Sequence, residues 1–151
     1  YNLAIEPRRK EVLRRLDHSA IFIMIAGTYT PFALPVIGGQ TGFALFAAVW
    51  AIAVLGIGHR LFFDGYWERL VVPLYLVQAW IVVSAFDTFV QSVPPQSVTL
   101  LLIGGVIYTT GVLFHLWKRL PFNKAIWHSF VLVAAVCHFA AVAGVMETVA
   151  Q

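Results

Sequence analysis

Apolar residues fill this chain in long unbroken runs, without the alternation of polar and apolar positions that a membrane barrel strand would show. From His18 to His59, a stretch of 42 residues, there is no Asp, Glu, Lys or Arg, and a membrane helix needs only about 20 residues to cross the hydrocarbon core. Two spans fit. The break between them falls at Pro35 to Thr41 (PVIGGQT), where Pro, Gly and polar residues disfavour a continuing helix and suit a short hairpin turn. Leu70 to Phe86 is a third uncharged run, which extends past Asp87 to Val90 if that carboxylate reaches the headgroups. Ser97 to Trp117 is a fourth, after a Pro94–Pro95 turn that cannot be helix interior, and Ala125 to Met146 is a fifth. The pattern predicts an all-α, polytopic transmembrane bundle forming one domain over residues 1–151, with spans at about 19–37, 41–59, 70–90, 97–117 and 125–147.

Composition sharpens this reading. The chain is 60% hydrophobic, and its 10 basic and 7 acidic residues make up 11% of it, whereas a soluble domain is roughly a quarter charged. An ordinary cytosolic globule is excluded, and disorder and nucleic-acid binding, which both need solvated charge, lose their basis. The single cysteine, Cys137, lies in an apolar run and makes no internal disulfide. The chain starts at Tyr1 without a signal-peptide pattern, so an N-terminally incomplete or processed chain is expected.

The net charge of +3 gains meaning from its placement. Arg8, Arg9, Lys10, Arg14 and Arg15 precede span one; Arg60 and Arg69 separate spans two and three; Lys118, Arg119 and Lys124 separate spans four and five. Five spans put these three segments on one side, and the positive-inside rule makes that side cytoplasmic, with the C-terminus outside. A plasma (inner) membrane location is expected. Trp67, Trp117 and Trp127 fall at the predicted inner boundaries, where an indole ring prefers to sit, while Trp50 and Trp80 are mid-span and read as packing residues. Pro31 and Pro73 predict kinks, with freed carbonyls satisfied by neighbours or by nearby Thr hydroxyls.

Polar groups at membrane depth are costly, so each is a candidate for function. Asp17, with His18 and Ser19, opens span one; it reads either as a helix N-cap or as an acid or metal-shell group facing a cavity. Gly27 to Phe32 (GTYTPF) packs three hydroxyls against a proline, either to repair a kinked helix or to line a polar cavity. Lys124 and His128 are at i and i+4 near the inner end of span five, where a meeting of His128 with Asp17 is geometrically allowed. His138 is ~15 Å deeper, at 1.5 Å per residue. For a lone membrane histidine, an interhelical hydrogen bond is the plain reading. His59 and His115 end spans two and four as boundary residues.

The strings LDHSAIFIMIAGTYTPF (Leu16 to Phe32) and LWKRLPFNKAIWHSFVLVAAVCHFAAV (Leu116 to Val142) closely resemble the bacterial hemolysin III family, kin to the progestin and adipoQ receptors. The resemblance implies seven spans with the N-terminus inside, of which this chain would supply spans three to seven. It also implies a zinc ion near the cytoplasmic face, held by a His closing span two and by two His four residues apart in the last span, with an Asp close to the metal-bound water. Carried over, His128 matches the second of that His pair and Asp17 the Asp. Lys124 stands where the first His is expected, and Asn2 falls at the span-two His. Neither is a normal zinc ligand, so the zinc site carried over from the resemblance is incomplete; a Lys124–Asp17 ion pair in place of the metal is expected from the substituted residues themselves.

Several functions remain open on this reading. One is membrane or lipid homeostasis by a bundle that responds to lipid state; others are a pore-forming channel or cytolysin, and a zinc-dependent intramembrane lipid amide hydrolase. No polar stripe lines any span, so a wide aqueous channel is not expected from one chain, although a homo-oligomer would be able to form one. A haem protein comes last, since His138 has no facing partner in the sequence. Membrane lipids are the expected partners.

Overall fold

The computed structural model describes residues 7–62 and 68–149, and among these every regular element is helical. Helix α1 (Pro7–Phe32) runs into a π-helical turn (Ala33–Ile37), and α2 is Gly39–Phe62. The third span is composite, with α3 (Glu68–Trp80), a 3₁₀ turn (Ile81–Ala85) and α4 (Phe86–Ser92); α5 (Pro95–Leu116) and α6 (Asn123–Val149) complete the bundle. Five segments are long and apolar enough to cross a membrane.

Helix α1 begins well before the first predicted span. The segment RRKEVLRR contains no helix breaker, and the Glu11 carboxylate bridges Arg14 and Arg15 one turn on, with Oε2 2.6 Å from Arg14 Nη2 and Oε1 3.1 Å from Arg15 Nε. Asp17 therefore lies inside a continuous helix, and the N-cap reading of that residue is overturned. The predicted break between spans one and two is where the chain turns. Pro35 has no N–H to donate, the register shifts to a π turn closed by Gly38 N–H on the Ala33 carbonyl, and Gly38 and Gly39 take φ values of 60° and 56° that L side chains rarely adopt. Pro95 stands at the start of α5, where its missing N–H costs nothing.

Two antiparallel pairs, α1/α2 and α5/α6, make the closest packing, through small residues on α2 and through a seam of small residues at heptad spacing on α5. On α5, Ser97, Gly104 and Gly111 are buried against α6: Ser97 Oγ donates to the Ala141 carbonyl at 3.1 Å, Gly104 receives the His138 ring, and Gly111 receives Trp127 and Phe130. On α2, Gly42 meets the Ala33 carbonyl of the π turn, and the Phe22 ring of α1 fills the notch at Gly56. Without a hydrophobic difference between lipid and side chain, such close approach is what holds membrane helices together. The buried core of the first pair centres on Phe22, Ala26, Val49, Ala53 and Tyr75, and that of the far end on Phe32, Phe89, Val98, Ala141 and Val145.

A candidate site between the helix pairs

The end of the bundle that carries the basic segments holds the residues the sequence singled out. Asp17 is exposed on α1, and Lys124 and His128 are exposed on α6, on the same outward stripe as Leu132, Val136 and Phe139. Asn2 lies outside the described residues. Among the described residues no three His, Cys, Asp or Glu side chains converge on one point. A zinc ion needs three or four such donors, and a lysine ammonium offers no lone pair. The donor set described here does not fit the metal that the resemblance implies.

Other groups at this end are more deeply held than their sequence positions indicated. Arg60, read as a loop residue, is 6% exposed at the end of α2, with Nη2 4.0 Å from Glu11 Oε1. Arg15 Nη1 donates to the Leu61 carbonyl at 3.0 Å, tying α1 to the end of α2. Trp127 is 9% exposed and packs against the His115 ring at 5.2 Å in a notch that Gly111 opens, so at its place near the start of α6 it is a packing residue between α5 and α6. Trp117 is exposed, as a boundary residue would be. Trp67 lies outside the described residues. Asn123 Nδ2 reaches the His115 carbonyl at 3.5 Å across the α5–α6 turn, in which Phe122 takes φ 59°.

Deeper in the bundle, most of the polar side chains are spent on backbone. Tyr29 Oη donates to the Ala79 carbonyl at 2.6 Å and accepts the Val82 N–H at 3.2 Å, at the point where α3 gives way to the 3₁₀ turn. Tyr75 Oη donates to the His18 carbonyl at 2.7 Å. Thr28 and Thr30 bond back to Met24 and Ala26, one turn earlier on α1. Two indoles use threonine hydroxyls as acceptors across helices: Trp50 Nε1 to Thr30 Oγ1 at 3.2 Å, and Trp80 Nε1 to Thr109 Oγ1 at 3.1 Å. Both indoles pack between helices, and each threonine hydroxyl also donates to its own helix. Gln78, fully buried on α3, donates through Nε2 to the carbonyls of Phe22 (3.2 Å) and Val49 (3.0 Å), so one amide fastens three helices. Gln78 was not singled out in the sequence; its signal was a lone carboxamide in an otherwise uncharged run.

Where the two helix pairs and the third span meet, they leave a cavity of about 110 Å³. Its wall combines Ile25, Leu76, Leu102 and Val131 with Tyr108 and His138, and among the described residues none that lines it is an Asp, Glu, Lys or Arg. His138 Nε2 is 3.3 Å from the Leu101 carbonyl, the interhelical hydrogen bond expected of it.

The family model described as Haemolysin-III related matches residues 2–139. The chain belongs to that family. It is 41% identical over 132 residues to a Hemolysin-3 homolog of Bacillus subtilis (strain 168), covering 87% of this chain and 62% of the relative. It is 38% identical over 133 residues to Hemolysin-3 of Bacillus cereus, covering 88% of this chain and 61% of that protein. The chain thus spans about three fifths of the length of these curated relatives. No solved structure matches it. As a haemolysin-III-related protein with five apolar membrane-length helices, it is a multi-pass membrane protein.

Proposed function

We propose that this haemolysin-III-related protein acts in membrane and lipid homeostasis as a non-catalytic helix bundle whose packing responds to what is dissolved in the bilayer. The observation that carries this reading is the interior itself: a cavity with an uncharged wall, in which Tyr29, Thr28 and Thr109 spend their hydroxyls on backbone carbonyls. A water-filled pore needs polar groups turned toward its lumen, and a metal hydrolase needs a convergent ligand set. The incomplete zinc site, with Lys124 and Asn2 at two ligand positions, belongs to the same reading. The basic segments lie on the cytoplasmic side of a bacterial inner membrane: their charge supports the side, and the Bacillus relatives support the bacterial membrane. The relatives' name, hemolysin, favours a second reading in which an oligomer opens a lesion.

Proteoliposomes holding the full chain separate these readings. Retention of an entrapped dye and absence of ceramide hydrolysis, together with altered membrane order in cells lacking the protein, are the expected results. Dye release proportional to protein, or metal-dependent amide hydrolysis, would overturn the homeostasis reading.

A further inference from the structure

The cavity has a volume of about 110 Å³, close to the roughly 150 Å³ of an engineered apolar cavity that takes up benzene. Two adjacent rings in its wall differ from the rest. His138 Nε2 faces the Leu101 carbonyl at 3.3 Å. A carbonyl oxygen only accepts, so Nε2 carries the proton, and a neutral imidazole then keeps its lone pair on Nδ1. An uncharged wall gives no counter-ion for an imidazolium, which keeps the ring neutral. Gly104 lies so close that a Cβ there would overlap ring atoms Cδ2 and Nε2, which fixes the ring's position. The Tyr108 ring is 5.4 Å away, and among the described residues its hydroxyl bonds only the weakly accepting thioether of Met24, at 3.5 Å. The other cavity hydroxyls among the described residues, on Thr28, Tyr29, Tyr75 and Thr109, are bonded to backbone carbonyls. The cavity therefore combines an apolar volume of benzene size with an imidazole in its wall, of which Nδ1 is the nitrogen not spent on Leu101, and a phenol donor held by a weak bond.

We propose that this cavity binds a small neutral amphiphile, a phenol or short-chain alcohol, whose apolar body fills the volume and whose hydroxyl donates to His138 Nδ1. The ligand oxygen is then free to accept from Tyr108. A hydroxyl left unpaired in an apolar site is penalised, so the imidazole makes the site select the hydroxylated compound over its methyl isostere. This inference rests on the homeostasis reading above and supplies the class of molecule to which the bundle responds.

The test uses the full chain in phosphatidylcholine nanodiscs, with 4-fluorophenol and its isostere 4-fluorotoluene followed by fluorine NMR. Wild-type protein is expected to give a saturable bound signal for 4-fluorophenol. His138→Leu is expected to weaken it about fivefold, the worth of one net hydrogen bond, and to leave 4-fluorotoluene binding unchanged. Nitrogen-15 spectra of wild-type His138, which need no variant to fold, are expected to show a protonated Nε2 and an Nδ1 signal that moves with 4-fluorophenol and not with 4-fluorotoluene. Absence of saturable 4-fluorophenol binding, equal affinity in His138→Leu, or an Nδ1 signal unmoved at saturation would overturn the proposal. Dye release from proteoliposomes would sink the homeostasis reading while leaving this binding result standing, so the two failures are distinct.

Discussion

The phenol oxygen of Tyr29 on α1 stands 2.6 Å from the carbonyl oxygen of Ala79 and 3.2 Å from the amide nitrogen of Val82, inside the hydrogen-bond ladder of the third span. A side chain inserted into the ladder is one of the recognised causes of a helix break, and here α3 ends at Trp80 with a 3₁₀ turn beyond it. Pro73, the residue expected to disturb this span, lies within α3.

Removing that hydroxyl leaves a carbonyl and an amide without their partner. Tyr29→Phe is expected to destabilise the bundle by about 1–2 kcal/mol. It is also expected to speed hydrogen exchange at Val82 relative to Leu102 in the intact α5. Thermal unfolding in detergent and exchange mass spectrometry measure the two effects; an unchanged exchange rate at Val82 would separate the break from Tyr29.

Gln78 donates to two carbonyls, and its Oε1 has no hydrogen-bond partner among the described residues. Gln78→Leu removes two donated bonds and also removes a buried unpaired acceptor, so a change within about 1 kcal/mol is expected. Gln78→Glu puts carboxylate oxygens against the Phe22 and Val49 carbonyls, and a loss of about 3 kcal/mol is expected at pH 8. Protonation removes that charge and supplies an O–H donor for one of the two carbonyls, so stability falls as pH rises. Melting at pH 4 should therefore recover toward wild type. Equal melting of Gln78→Glu at pH 4 and pH 8 would contradict this account.

Gly42 lets α2 approach the turn after α1 so closely that a Cβ would overlap the Ala33 carbonyl oxygen, which is backbone and cannot swing aside. Gly42→Ala is expected to cost about 2–3 kcal/mol. A Cβ at Gly58 meets nothing within 4 Å, so Gly58→Ala should be neutral or stabilising by up to about 1 kcal/mol, the helix-propensity gain. Comparing the two melting temperatures in one detergent checks both. Equal effects would mean that the α1–α2 approach does not depend on Gly42.

Lys124 and His128 sit at i and i+4 on one outward face of α6. Lys124→His creates a His pair with the spacing that suits a metal on a helix face. The variant is expected to retain more zinc per chain than wild type after mild chelation, measured by elemental analysis of the purified full chain. Equal zinc in both proteins would show that Lys124 is not what limits metal binding.

Five membrane-length helices, their turns and the sorting of basic residues to one end were legible in the sequence, because each follows from local quantities: run length, charge, and the positions of Pro and Gly. The outward stripe that carries His128 was half legible, since periodicity put Lys124 and His128 on one face but could not tell which way that face turned. The burial of Arg60, Gln78 and Trp127 was misread or passed over for the same reason, as burial is a property of neighbours. Which hydroxyls repair which helix was also hidden: Tyr29 bonds a carbonyl 50 residues away. The cavity and the ring nitrogen it leaves available come from the crossing of helices that the chain brings together only on folding. Hydropathy and charge thus determined that this protein crosses a membrane, and tertiary packing alone decided which of its few polar atoms are consumed by backbone and which remain able to meet a ligand.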